Sequence, residues 1–394
     1  MTTSNNLLPV HKRFNLNFSR GSGVHLFTSD EQKYLDFGAG IAVNCLGHCH
    51  PSLVSAISNQ ANKLWHVSNI YNTDQLNNYA TKLTNATNFA DYVFFCNSGA
   101  EAIECAIKMA RRHFYVQNSP RYRIITFAGA FHGRTIATIS AAAKKKYLEG
   151  FTPALAGFDN VVFNDIDAVK QAISEQTAAV LIEPIQGEEG IRVPSPQFLQ
   201  QLQQLCQQNG ILLILDEVQC GMGRTGHLFA CDYFGIKPDI IATAKGIGGG
   251  FPLGACLATK QAASGMVYGV HGTTYGGNPL AMAVANAVLD NILAEGFLLK
   301  VQQLSRELQA MLLLLQQQYP SIIAQVRGVG LMLGLQINSC IENNLLVQKF
   351  IEHHLLTIPA GENVIRILPP LIINRVDIEE FYQKANSAIA SLID

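Results

Sequence analysis

A lysine closes an apolar run and opens a glycine-rich turn in Thr243-Ala244-Lys245-Gly246-Ile247-Gly248-Gly249-Gly250-Phe251-Pro252. Upstream, the strand-like run Ile211-Leu212-Leu213-Ile214-Leu215 delivers Asp216 and Glu217 at its C-terminal end, where open α/β sheets place their chemistry. An amine and a carboxylate presented in this way suit an aldehyde cofactor with a pyridine ring. The amine can attack the aldehyde, and the acid can hold the ring nitrogen. Neither residue establishes that chemistry alone.

Other segments add chemistry, each with a plainer alternative. Cys96-Asn97-Ser98-Gly99-Ala100-Glu101-Ala102 follows a predicted strand and opens a helix with Ile103, Ala106, Ile107 and Ala110 on one face. Its free N–H groups, with a glycine that allows close approach, suit a phosphate. Ser98 and Glu101 also have the spacing of a capping box, which needs no ligand. In Phe131-His132-Gly133-Arg134-Thr135, the aromatic ring can stack on a flat cofactor and the guanidinium can grip a carboxylate. The alternative is a core phenylalanine and a surface ion pair. His271-Gly272-Thr273-Thr274-Tyr275-Gly276-Gly277-Asn278-Pro279 offers hydroxyls to a phosphate or is a simple connecting loop.

Three further patterns invite functional readings that the residues do not sustain. Gly221-Met222-Gly223-Arg224-Thr225-Gly226 fits G-x-G-x-x-G, but Asp216 and Glu217 precede it, and no acid lies at the spacing a dinucleotide site requires. A turn is the better reading. Cys45, His48, Cys49 and His50 match no zinc spacing, and no metal is expected there. Lys144-Lys145-Lys146 reads as a solvated helix face.

The elements that must position these residues follow from periodicity. Seven short apolar runs, Tyr92 to Cys96, Arg123 to Phe127, Asn160 to Phe163, Ala179 to Ile182, Ile211 to Leu215, Asp239 to Ala242 and Gly254 to Ala258, alternate with helical patterns. That order predicts a doubly wound, mostly parallel sheet. The uninterrupted Ile/Leu run before Asp216 predicts a central strand. Gln197 to Gln208 is an amphipathic helix rather than a low-complexity tract, since Phe198, Leu199, Leu202, Leu205 and Cys206 recur at helical spacing. Helices are predicted over Leu280 to Leu298 and Leu299 to Gln318, followed by strands around 327–335 and 363–368. The last part therefore reads as a smaller α+β unit, which the N-terminal strands around 24–27 and 33–37 join.

Composition narrows the partners. With 394 residues, 48% hydrophobic, and 28 basic against 29 acidic residues, the chain can bury a large core and carries no global field for nucleic acid or an anionic membrane. Nine cysteines without a Cys-x-x-Cys pair point to a reducing compartment rather than a disulfide framework. Neither a signal-peptide pattern at Met1 to Asn6 nor an apolar stretch of membrane-spanning length is present, and a cytoplasmic protein is expected.

Read in order, Tyr34-Leu35-Asp36-Phe37, Gly40-Ile41-Ala42-Val43, Leu46 to Pro51, Ser98 to Ala102, Phe131 to Thr135, Glu183-Pro184-Ile185-Gln186-Gly187-Glu188, Asp216 to Gln219 through Gly226, Lys245-Gly246 and Thr274 to Pro279 resemble the class III aminotransferases, which depend on pyridoxal 5'-phosphate. The resemblance implies the type I fold of that cofactor's transferases, with a large cofactor-binding domain over 53–281 and a small domain from 1–52 and 282–394. It implies that Lys245 binds the cofactor covalently and then moves the substrate proton. Asp216 would hold the ring nitrogen, Gln219 the ring hydroxyl, and Val218 and Phe131 the two ring faces, with His132 beside them. Ser98, Gly99 and Ala100 would seat the phosphate. Thr273 and Thr274 would complete that seat from a second subunit, which makes the family's active unit a homodimer.

For substrates, the resemblance assigns Arg134 to one carboxylate and Arg366 to the other, with Glu188 pairing Arg366 when the donor leaves it vacant. It implies transfer of the δ-amino group of N2-acetylornithine to 2-oxoglutarate, with N-succinylated ornithine or diaminopimelate as alternative donors. Relatives that act on free ornithine place a tyrosine where this chain has Ile41. Two departures touch the substrate end: Glu189 stands where a glycine is usual, and Ile367-Leu368 where Phe-Ala is usual. A PLP-fold protein without catalysis would have no need for Lys245, Asp216, Arg134, Glu188 and Arg366 together, and a nicotinamide oxidoreductase, suggested only by the Gly221 to Gly226 motif, would require NAD binding, which is not expected.

Overall fold

The computed structural model describes residues 6–195 and 197–392. Met1 to Asn5 of the N-terminal segment read above lie outside the described residues. Fifteen strands are described: β1 Phe18–Ser22, β2 His25–Thr28, β3 Lys33–Asp36, β4 Tyr92–Cys96, β5 Arg123–Phe127, β6 Phe158–Val161, β7 Thr177–Ile182, β8 Leu212–Asp216, β9 Ile240–Thr243, β10 Gly254–Ala258, β11 Ile323–Val329, β12 Met332–Ile337, β13 Leu355–Leu356, β14 Ile358–Pro359 and β15 Val364–Ile367. β4 to β10 form one seven-stranded sheet in the order β4-β10-β9-β8-β7-β5-β6. β10 runs antiparallel to β4 and β9, and the pairs β9-β8, β8-β7, β7-β5 and β5-β6 are parallel.

β8 is fourth of the seven and is buried along its whole length, as its unbroken aliphatic sequence requires of a strand covered on both faces. Because β4, β5, β7, β8 and β9 all point the same way, the residues that follow them gather along one sheet edge. The seven predicted strands are all present. β6 begins and ends two residues before the predicted run, because the register is set by pairing with β5, Ile124 opposite Phe158.

The terminal segments build two further four-stranded sheets. β1-β2-β3 takes β13 as its fourth strand, with Leu35 and Asp36 paired in parallel to Leu355 and Leu356, so chain ends more than three hundred residues apart share one sheet. β11-β12-β15-β14 forms the other, and β15 places Arg366 beside β12 and β14. The helix predicted over Leu280 to Leu298 is shorter. It ends at Ile292, and a new helix, Phe297–Gln318, starts after Gly296, whose φ of 76° interrupts the helical path. No single helix among the described residues is long and apolar enough to cross a membrane.

Candidate active site

The strand ends enclose a cavity of about 380 Å³, within the roughly 300–1,000 Å³ of small-molecule sites. Lys245, Asp216, Val218, Gln219, Ser98, Gly99, Ala100, Phe131, His132 and Glu188 all line it. Lys245 follows β9 with φ of 51°, a left-handed backbone rare for a side-chain-bearing residue. Burial lowers its amine below the usual lysine range; Glu188 opposes that shift and Arg366 adds to it. The amine is thereby disposed toward its neutral, nucleophilic form.

Asp216, 3% exposed at the end of β8, is held from two sides. Its Oδ2 lies 2.8 Å from His132 Nδ1, and its Oδ1 accepts the Val218 N–H at 3.1 Å. The adjacent carboxylate points elsewhere. Glu217 accepts the N–H groups of Ala230 and Cys231 (2.8 Å), which cap the helix Ala230–Phe234, and it does not line the cavity. Strand alternation separates the two acids onto opposite sides. Burial raises Glu217 to about 7, against the pull of those two backbone donors.

At the end of β4, the helix Gly99–Tyr115 presents its N-terminus to the cavity. The capping arrangement expected of this segment is formed. Ser98 Oγ accepts the Glu101 N–H at 3.3 Å, and Glu101 Oε2 accepts the Asn97 N–H at 3.0 Å, so the cap is formed. A Cβ at Gly99 would lie 3.0 Å from both Val218 methyl carbons, and one at Gly133 would lie 2.7 Å from Ala100 Cβ. The glycines therefore let the helix end pack close under the ring-sized space, with its N–H groups toward it.

Glu188 lines the cavity and pairs with Arg366, which is not itself part of the lining. Arg366 is 1% exposed, and its Nη1 and Nη2 donate to the two Glu188 oxygens at 2.6 and 3.3 Å. Nη1 also reaches Gln219 Oε1 at 3.4 Å, and Nη2 the Pro359 carbonyl at 3.3 Å. Burial would raise Glu188, but Arg366 above all, with Lys245 and Lys144, holds it below the usual carboxylate range. A Cβ at Gly187 would come within 2.3 Å of Gln219 Oε1, so a side chain there would displace the Gln219 amide.

Other expected residues stand apart from the cavity lining. Arg134 is exposed, with Cζ 4.0 Å above the Tyr147 ring and 5.5 Å from that of Phe131. Thr273 receives a hydrogen bond from the lining residue Asn97 (3.3 Å), whereas Thr274 is exposed. Ile41 does not line the cavity; Val43 of the same segment does.

The structure also places residues whose importance sequence reasoning missed. Glu183, quoted above only within a block, follows β7 and lines the cavity with its oxygens on the N–H groups of Phe131 (2.8 Å) and Gly187 (3.3 Å). Burial and the charge of Asp216 push its carboxyl up. Its place at a strand end was the available signal. In the lysine run, Lys145 and Lys146 are exposed, but Lys144 turns inward to an ion pair with Glu189. The left-handed residue Ala143 ends the preceding helix and redirects the chain there.

The remaining patterns are structural. Gly223 and Gly226 have φ of 89° and 83° in a turn packed against Leu371 and Gln302, and Arg224 is buried with Nη1 on the Leu331 carbonyl (3.2 Å). Cys45 Sγ donates to the Gly246 carbonyl at 3.1 Å, His48 binds Asp36 at 2.8 Å, and His50 binds Ser52 at 2.8 Å. These side chains are directed to three separate partners.

A buried amine, a carboxylate held by histidine, a helix N-terminus and a carboxylate paired with a buried guanidinium, gathered at one cavity, suit a transferase site of the aldehyde-cofactor type. The chain matches the aminotransferase class-III family over residues 8–389 and belongs to it. It is 57% identical over 387 residues to the acetylornithine aminotransferase of Agrobacterium fabrum, covering 98% of this chain and 96% of that one. The Brucella melitensis acetylornithine aminotransferase is 52% identical over 392 residues, covering 99% and 96%. Among solved structures, the ornithine aminotransferase of Toxoplasma gondii superposes with a TM-score of 0.92 at 30% identity, covering 99% of this chain and 92% of that one. The N-acetylornithine aminotransferase of Stenotrophomonas maltophilia gives 0.84 at 37% identity, covering 96% of each. Sequence and backbone thus favour differently named relatives, so backbone shape alone does not choose the donor.

Proposed function

We propose that this aminotransferase moves the δ-amino group of N2-acetylornithine to 2-oxoglutarate, using pyridoxal 5'-phosphate and giving N-acetylglutamate 5-semialdehyde and glutamate. The observation that carries this reading is Glu188, which lines the cavity with Lys245 and is paired with the buried Arg366, so that one pocket can serve two substrates of different charge. The names of the relatives supply the donor.

When bound, pyridoxal phosphate supplies an aldehyde for the amine and a ring that takes up the electrons left when the donor carbon loses its proton. The Ser98, Gly99 and Ala100 end of the helix would hold the phosphate. Asp216, oriented by His132, would hold the ring nitrogen, Gln219 the ring hydroxyl, and Phe131 and Val218 the two faces. Lys245 Nζ carries the proton between donor carbon and cofactor, a task suited to an amine whose protonated form burial disfavours. Arg134 holds the donor carboxylate, and Glu188 neutralises Arg366 meanwhile. With glutamate or 2-oxoglutarate, Glu188 gives way and Arg366 takes the second carboxylate, so the buried guanidinium is never unpaired.

The cofactor-binding unit in this reading spans 53–281, with the small unit formed by 1–52 and 282–394. A homodimer completes the site. Exposed Trp65, Ile70 and Tyr71 lie in a segment joined to the Thr274 loop, where Asn69 Nδ2 donates to the Thr273 and Gly276 carbonyls at 3.0 and 3.1 Å and His66 packs on Tyr275. Such an apolar surface beside the exposed Thr274 suits a second copy.

The test is a single-turnover absorbance measurement of the cofactor-loaded protein with N2-acetylornithine, free ornithine and N-succinylornithine in turn, without oxo acid. Rapid bleaching of the cofactor band by N2-acetylornithine and slow bleaching by free ornithine are expected. Equally rapid bleaching by free ornithine would refute the assignment of the donor.

A further inference from the structure

Beside the Glu188–Arg366 pair stands a second ion pair that the reaction as described does not use. Lys144 Nζ binds Glu189 Oε2, with 21% and 27% of the two side chains exposed, at the rim rather than on the open surface. Lys144 Nζ also lies 5.6 Å from the centroid of the Tyr147 ring, the same ring that carries the Arg134 guanidinium. Tyr147 in turn stands edge-on to Phe131, with ring centroids 5.9 Å apart. One tyrosine therefore spaces two cations beside Phe131, which lines the cavity. Arg134 has no carboxylate partner in any ion pair among the described residues, and Lys144 is neutralised.

Glu189 is fixed in that role by backbone on two sides. A Cβ at Gly129 would lie 3.0 Å from Glu189 Cγ, and one at Gly361 3.0 Å from Glu189 Cα. The Gly361 N–H, moreover, donates to the Glu188 carbonyl at 2.9 Å. Neighbouring Glu188, which lines the cavity, and Glu189, which does not, thus each hold a different cation.

The N-acyl group of the donor hangs from the carbon that bears the carboxylate. If Arg134 holds that carboxylate, as in the function proposed above, the far end of the acyl group falls near Tyr147, Lys144 and Glu189. We propose that the Lys144–Glu189 ion pair selects the acyl group. Lys144 is already neutralised within the protein, so an acetyl group is accepted, whereas an acyl group ending in a carboxylate meets Glu189 in place of a free cation. Like charges brought together at a partly desolvated rim disfavour the wrong ligand more than they favour the right one.

Glu189→Gln, Lys144→Gln and the double variant are compared with the parent holoenzyme by calorimetric titration with N2-acetylnorvaline and N2-succinylnorvaline, which lack the reacting δ-amine. The ratio of the two dissociation constants divides out general damage to the site. Glu189→Gln, which frees Lys144, should shift the ratio toward the succinyl analogue on the order of tenfold. Lys144→Gln, which leaves Glu189 unpaired, should shift it the other way, and the double variant should return near the parent. An unchanged ratio in Glu189→Gln, or a shift in the same direction in both single variants, overturns the proposal. Arg134→Gln separates this from the underlying reading: weaker binding of both analogues supports the carboxylate contact, and unchanged binding removes the placement on which both rest.

Discussion

The two ends of the cavity are built on different principles. At the cofactor end, Asp216, His132, Val218, Phe131, Gly99 and Lys245 come from strand ends of one sheet or the turns that follow them, and the carboxylate is 3% exposed with both oxygens engaged. At the end proposed for substrate, Glu188 lines the cavity from a loop, the neighbouring Glu189 and Lys144 also come from loops, Arg366 comes from a strand of a different sheet, and the contacts are ion pairs. A preorganised frame of dipoles and buried charge suits a group that stays in place through both half-reactions. Exchangeable pairs suit ligands that alternate, because each pair reforms when its ligand leaves.

This contrast predicts which half-reactions a substitution affects. Asp216→Asn acts on the shared frame and should slow both half-reactions to the same extent, on the order of 10³-fold, in single-turnover measurements with donor and with glutamate. Unequal losses would break the division. Arg366→Ala acts at the exchanging end and should slow the glutamate half-reaction roughly a hundredfold or more while affecting the acylated donor much less. A variant that kept its glutamate half-reaction would show that Arg366 does not receive the second carboxylate.

The smallest effect belongs to the carboxylate that left the site. Burial raises Glu217 from 4.5 to about 7, so the folded protein binds its proton more tightly than the unfolded chain. Its stabilising contribution is complete below the unfolded value and is lost as pH rises through the folded one. The urea midpoint should therefore fall between about pH 4.5 and 7 more steeply in the parent than in Glu217→Gln. Parallel profiles would show that Glu217 is not the titrating group.

Legibility in the sequence follows the same boundary. The cofactor end was readable because each residue sits within a few positions of an apolar strand, and a parallel sheet brings its C-terminal ends together whatever the connecting helices do. Glu183 was underread for the opposite reason: a lone acid after a strand looks like any loop carboxylate until Phe131 and Gly187 are seen to donate to it. Lys144 was read as solvated because three consecutive lysines on a helix face water, and only the left-handed turn at Ala143 and the position of Glu189 reverse that for one of them.

By itself, the sequence determined the strand order of chemistry: which runs are buried, which residues follow them, and which family they resemble. Those features depend on local hydrophobic periodicity and on short-range backbone preferences. Only the tertiary structure decided that Glu217 caps a helix while its neighbour Asp216 faces the cavity, that β13 pairs with β3, and that Lys144 turns to Glu189. These depend on side-chain direction and on pairing between segments far apart in the chain, and no local pattern encodes either.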